Sequence, residues 1–144
     1  MSRVTDRVLG LLGLARRGGK LALGEQPVAA ACQAGRAKLV LLAADAGGAT
    51  ARRGEKLARM GRVPLVGLPY PKQEVGHSVG RSSCALLAPT DLGLAVAVVK
   101  GLAQRDEGLL ALAQQLEEKA GRRGPARSRR AGTEKPPAQP DVQP

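Results

Sequence analysis

One histidine (His77), two cysteines (Cys32 and Cys84) and 12 carboxylates are the side chains of this 144-residue chain most often used for acid–base, nucleophilic or metal chemistry. Their placement does not assemble a reaction centre. His77 falls in a short, weak helical segment and reads as a surface or lightly packed residue rather than a general base. Cys32 and Cys84 both fall on apolar faces, where a thiol behaves as a small hydrophobe rather than a nucleophile or half of a disulfide. One His and two Cys cannot complete a four-ligand zinc site without carboxylates. Glu25 stands in the first turn of a helix, where the dipole favours an anion without any catalytic role. Asp45 ends a central strand, where α/β sites gather ligands, or else it only starts the next turn. Neither G-x-x-x-x-G-K-[ST] nor G-x-G-x-x-G occurs, so phosphate-cradling loops of those kinds are absent. The expectation is a protein without catalysis, cofactor or metal.

What remains is charge. Lys and Arg number 23 against 12 Asp and Glu, giving net +11 and a pI of about 10.8. The excess is +9 over residues 1–104, −2 over 105–120 and +4 over 121–144. Most of the positive field therefore belongs to the part expected to fold. A basic domain of this kind points to nucleic acid or an anionic surface; the alternative is a basic surface that only confers solubility. RNA modules that stack bases on rings are excluded by a chain with no Phe, no Trp and one Tyr (Tyr70). The core, drawn from 43% apolar residues, must be aliphatic. No apolar run approaches the ~20 residues of a membrane span. The first residues, MSRVTDRV, show no secretory h-region, and two cysteines without a framework suit a reducing cytoplasm.

The elements that must carry the charge follow from periodicity. Val4, Val8, Leu11, Leu12 and Ala15 recur at helical spacing, and Leu9 and Leu14 widen the stripe, so a deeply buried helix is expected over 2–17. Gly18 and Gly19 end it. KLAL (20–23) reads as a strand. Gly24 opens a helix over 25–34 that tolerates Pro27 in its first turn. KLVLLA (38–43) reads as a central strand covered on both faces. A helix over 50–60, strand 62–68, weak helix 72–79, strand 84–88 and helix 92–104 complete the alternation. Such an order predicts an α/β chain folded as a three-layer α-β-α sandwich. Residues 105–120 add an amphipathic helix that either packs back or meets a partner. Residues 121–144 read as a disordered, basic, Pro-rich tail, either solvated or adding non-specific RNA affinity.

The string LGLARRGGKLALGEQPVAAACQAGRAKLVLLAADAG resembles the ribosomal L-seven-Ae/L-thirty-e superfamily. VPLVGL, EVGHSVG and CALLAPTDLGLA continue the likeness in order over about residues 4–102, and it is similar to the small bacterial YlxQ-type members. The resemblance implies a mixed four-stranded sheet and binding of structured RNA, often a kink-turn, in ribosomes or other particles. It places the RNA site at the start of the second helix and the loop before the last strand. Gly24, Glu25 and Gln26 then form one half, and Gly80, Arg81 and Ser82 the other, unless that loop is a plain connection. Relatives carry polar residues where this chain has Gln26, Pro27 and Ala30. The departure removes two of three hydrogen-bonding side chains for tandem sheared G·A pairs. It leaves the backbone, Lys20, Arg36 and Lys38 (the Lys of the family's G-x-A-K-L-V string) to meet RNA of another shape.

The function expected is therefore non-enzymatic binding of ribosomal or other structured RNA by a cytoplasmic, ribosome-associated monomer. The alternative is a protein–protein adaptor that docks on ribosomal proteins or translation factors. A ribose methyltransferase would need a second domain of ~150 residues, for which the chain has no room.

Overall fold

Val8, Leu12 and Ala15 lie one helical turn apart and are all buried. They seat the first helix on a sheet whose strands are short apolar runs. The computed structural model describes residues 3–123. Their order is α1 (Arg3–Arg17), β1 (Leu21–Leu23), α2 (Glu25–Gln33), β2 (Val40–Leu42), α3 (Gly48–Gly61), β3 (Leu65–Gly67), α4 (Lys72–Ser78), β4 (Leu86–Pro89) and α5 (Leu92–Ala103). A 3-10 turn at Glu107–Leu109 then leads into α6 (Leu110–Arg123).

The sheet is mixed and four-stranded, in the order β1-β4-β2-β3. β4 runs antiparallel to both of its neighbours, with Leu23 opposite Leu87 and Leu41 opposite Leu87, while β2 and β3 are parallel. Alternate strand residues face opposite layers, as the period of two requires. Val40, Leu86 and Ala88 meet Val28, Ala31 and Cys32 of α2 and Leu57 and Ala58 of α3. Leu39, Leu41 and Leu87 belong to the larger cluster with Val8 and Leu12 of α1, Val75 of α4 and Val98 of α5. Tyr70, 2% exposed, is the ring within that otherwise aliphatic core.

Two expectations are refined. The first helix is not buried all round: Leu14 is 61% exposed. It lies off the Val8–Leu12–Ala15 line, at the rim of a shallow groove with Leu11, Leu94 and Ala97. The segment after residue 104 packs back on the domain. Ala113 and Leu116 of α6 are buried in the larger cluster, and Lys100 Nζ meets Glu117 Oε2 at 2.7 Å on the outside. Of the expected tail, 121–123 continue α6; the rest lies outside the described residues.

Helices α1 to α4 end by one device. An amide just past each helix bonds back to the carbonyl five residues earlier: Lys20 to Ala15 (2.8 Å), Arg36 to Ala31 (2.9 Å), Val63 to Ala58 (3.0 Å) and Arg81 to Gly76 (2.8 Å). The reversal needs a left-handed residue. Three of the four are glycine; after α3 it is Arg62, at φ 57°. An L side chain there costs roughly 1–2 kcal/mol, partly offset because glycine loses more freedom on folding. Arg62→Gly should therefore stabilise the protein by about 0.5–1 kcal/mol, seen as a higher urea midpoint at unchanged slope. A midpoint at or below that of the parent chain would contradict the strain argument.

Candidate nucleic-acid interface

β1, β2 and β3 run the same way and β4 runs against them. Their carboxyl ends and the start of β4 therefore share one end of the sheet, the end where α/β proteins collect ligands. The N-termini of α2, α3 and α4 open there too. Asp45, just past β2, accepts a hydrogen bond from the Lys72 amide at 2.7 Å. That carboxylate caps α4 across the loop, so its role is structural.

Gly24 is the hinge between β1 and α2. Its φ of 90° and ψ of 169° lie in a region essentially closed to residues with a Cβ. Its N–H donates to Leu86 O at 2.9 Å, and its carbonyl accepts from Val28 N at 3.1 Å. The amides of Glu25 and Gln26 open the helix without intrahelical partners, and Pro27 brings no amide of its own. Gly24, as the N-cap, has no side chain with which to close this end. Glu25 Oε2 lies 2.9 Å from Arg53 Nε of α3, with the two side chains 57% and 42% exposed. A pair that open is worth at most about 1 kcal/mol; its consequence is to hold a guanidinium beside the helix start.

The second half is the loop between α4 and β4. Arg81, Ser82 and Ser83 are exposed, yet the backbone is held at three points. The Arg81 amide closes α4, and the Cys84 amide donates to Lys72 O at 2.9 Å. Ser83 rests directly on Gly76, where a Cβ would come within 2.4 Å of Ser83 Cα. Gly76 is therefore the contact point for the loop rather than a flaw in the helix. Cys84 joins the two halves. Its thiol donates to Leu86 O at 3.4 Å, the carbonyl that also accepts from Gly24. Burial raises its pKa, opposed by the Leu86 backbone, the Arg81 charge and the Gly24 amide. Burial also raises that of Cys32.

Six of the nine residues expected at an RNA site thus share one end: Gly24, Glu25, Gln26, Gly80, Arg81 and Ser82. Lys20, Arg36 and Lys38 do not join them. The Lys20 carbonyl accepts from Thr90 N and the Lys38 amide donates to Pro89 O, each at 2.9 Å, at the far end of β4. Four residues of extended chain put Lys20 about 13 Å from Gly24. Arg53, Gly76 and the capping role of Asp45 were not legible from sequence. Glu25–Arg53 and Asp45–Lys72 join segments far apart in the chain, and the Gly76–Ser83 contact, though seven residues apart, depends on how the loop folds back. Among the described residues no group of three His, Cys, Asp or Glu could hold a metal ion. No helix among them is long and apolar enough to cross a membrane.

A sequence profile of the Ribosomal protein L7Ae/L30e/S12e/Gadd45 family matches residues 6–99. The chain belongs to this family. The match covers all four strands and α2 to α4, hence both halves of the site. The RNA-binding protein YlxQ of Bacillus subtilis (strain 168) is 38% identical over 89 residues, 59% of this chain and 84% of that protein. The solved structure of a protein of unknown function from Bacillus halodurans C shares the fold at TM-score 0.61 and 28% identity. That likeness covers 66% of this chain and 95% of the other.

Two outcomes follow from the packing. Gly76→Ala should cost about 1–3 kcal/mol, because Ser83 backbone has to move; a urea midpoint equal to the parent's would show that the loop is not seated there. The thiols, buried and with pKa raised above the ordinary 9.0, stay protonated at neutral pH. A disulfide reagent at pH 7.5 should react with both cysteines promptly in urea and slowly in buffer. Raising the pH should go on speeding the native reaction past the range where that of a free thiol levels off, and rapid labelling at pH 7.5 would refute this.

Proposed function

We propose that this family member is a non-enzymatic, cytoplasmic RNA-binding protein, associated with the ribosome, that grips a folded RNA element at the carboxyl end of its sheet. The observation that carries the reading is convergence. Two amides free of intrahelical partners, at Glu25 and Gln26, sit beside Gly24, and the Arg81 loop is bound to the same Leu86 carbonyl through Cys84. A helix start attracts phosphate through its free N–H groups and its positive dipole end. Glycine at the turn lets an RNA backbone come close. Arg81 supplies a planar fork for phosphate or a face for a base. Two carboxylates at this end are engaged, Glu25 with Arg53 and Asp45 with the Lys72 amide; Glu74, in the first turn of α4, is exposed. Both the family and the RNA-binding relative support RNA as the partner.

Pro27 and Ala30 set the kind of RNA. They place apolar groups where kink-turn binders of the family place polar ones, so recognition rests on backbone shape, Gln26 and Arg81. An adaptor would use α6 as its docking helix, but Ala113 and Leu116 of α6 are already buried in the core, leaving Leu110 half-exposed.

A substitution at Gly24 would confuse binding with backbone strain, so the test uses exposed side chains. Gln26→Glu with Arg81→Glu should weaken binding to isolated ribosomal RNA by on the order of a hundred-fold, at 1.5–3 kcal/mol for each charge-assisted hydrogen bond removed. Filter binding at fixed salt measures it, with a synthetic kink-turn hairpin as the second probe and thermal melting as the control for folding. Parent-like affinity for both RNAs in a folded double variant rules the site out.

A further inference from the structure

We infer that the opposite end of the sheet is a second RNA surface, one that meets phosphate backbone without reading sequence, so that the protein joins two RNA segments. The inference rests on RNA being the partner, but it uses none of the groups of the clamp at Gly24 and Arg81.

The topology that gathers helix starts at one end gathers helix ends at the other. Arg16 and Arg17 lie in the last turn of α1, and Arg59 in the last turn of α3. Lys20, Arg36 and Arg62 stand in the connections leading into β1, β2 and β3. Strand spacing of about 4.8 Å sets the starts of β1 and β3, three intervals apart, about 14 Å from each other. All six side chains are exposed. The ion pairs Arg53–Glu25 and Lys100–Glu117 involve none of the six. Asp91, the carboxylate that the β4–α5 connection places at this end, accepts from the Leu94 amide at 2.9 Å and caps α5.

Helix dipoles do not account for this charge. Three helix ends present roughly half a negative charge each, about −1.5 together. Their backbones are already closed by the Lys20, Arg36 and Val63 amides. Six cations exceed that need by about four charges. Five of the six are arginine, whose fork pairs with two phosphate oxygens at once. The chain's one Phe, Tyr or Trp ring, Tyr70, is buried in the core and its one imidazole, His77, lies in α4, so this surface offers no aromatic platform for bases. It suits a duplex or any backbone track.

The test uses the full chain and a perfectly paired, bulge-free 20-base-pair RNA duplex. Lys20→Gln, Arg36→Gln and Arg59→Gln are combined; all three are exposed, and melting checks the fold. The slope of log affinity against log salt should flatten by about 2–3, at roughly 0.9 per phosphate no longer neutralised. Affinity at low salt should drop at least ten-fold. The Gln26→Glu/Arg81→Glu variant should flatten the duplex slope by less than the triple variant does, because the two ends lie more than a Debye length of ~8 Å apart and the six cations are all at the other end. A parent-like slope in the triple variant overturns the second surface, and leaves the clamp standing if ribosomal RNA binding still needs Arg81. Equal dependence of poly-L-glutamate binding on the same three residues, with no preference for RNA, overturns nucleic acid as its partner. Failure of the parent chain to bind either RNA overturns both readings.

Discussion

The hydrogen bond from the Gly24 amide to the Leu86 carbonyl, 2.9 Å long, ties the start of α2 to the start of β4. Taken alone it contributes only about 1 kcal/mol. Its weight lies in what it fixes. β4 is inserted antiparallel between β1 and β2, with Leu23 opposite Leu87, so the loop leading into β4 arrives where β1 ends. Were β4 parallel to its neighbours, that loop would arrive at the other end, and Arg81 would share nothing with Gln26. The turn from that bond into α2 takes a backbone at φ 90° and ψ 169°, which only glycine adopts without strain. One residue without a side chain thus stands where the last strand's ladder ends and the candidate interface begins.

The element order was legible because the chain alternates short apolar runs with helical periodicity, and each of the first helices is punctuated by glycine. The strand limits were less so. Leu39 and Ala43 are buried and apolar like the strand residues between them, yet flank β2 (Val40–Leu42). Burial, which sequence shows, extends further than the ladder, which it does not. Leu14 shows the converse: apolarity does not oblige burial. Gly76 looks like a weakness in α4 by propensity, but it exists for the Ser83 backbone. Only the fold reveals that neighbour.

The candidate site shows the same limit more sharply. Lys20 and Gly24 are four residues apart and stand at opposite ends of a strand. Gly24 and Cys84 are far apart in sequence and share one carbonyl. Nearness along the chain is a poor guide to shared function wherever extended backbone intervenes, at about 3.3 Å per residue. The turn at Gly24–Gln26 could be read from sequence because the resemblance supplied it whole. The partnership of Glu25 with Arg53 could not, because it depends on how α2 lies beside α3.

The two ends of the sheet would attract an anionic polymer by different physics. At the carboxyl end the helix starts already favour anions, so a few amides and one or two guanidinium groups suffice. Geometry rather than charge number then decides what fits. At the other end the helix dipoles oppose an anion, and the chain overcomes them with arginine. Neither end needs aromatic rings, since both meet the backbone. This fits a basic RNA-binding candidate with no Phe or Trp, whose one tyrosine, Tyr70, is spent on the core. Pro27 and Ala30 fit the same logic. On the proposed reading, polar side chains at those places would read particular bases, and without them recognition would rest on the shape of a phosphate track, which free amides at a helix start and exposed guanidinium groups can both meet.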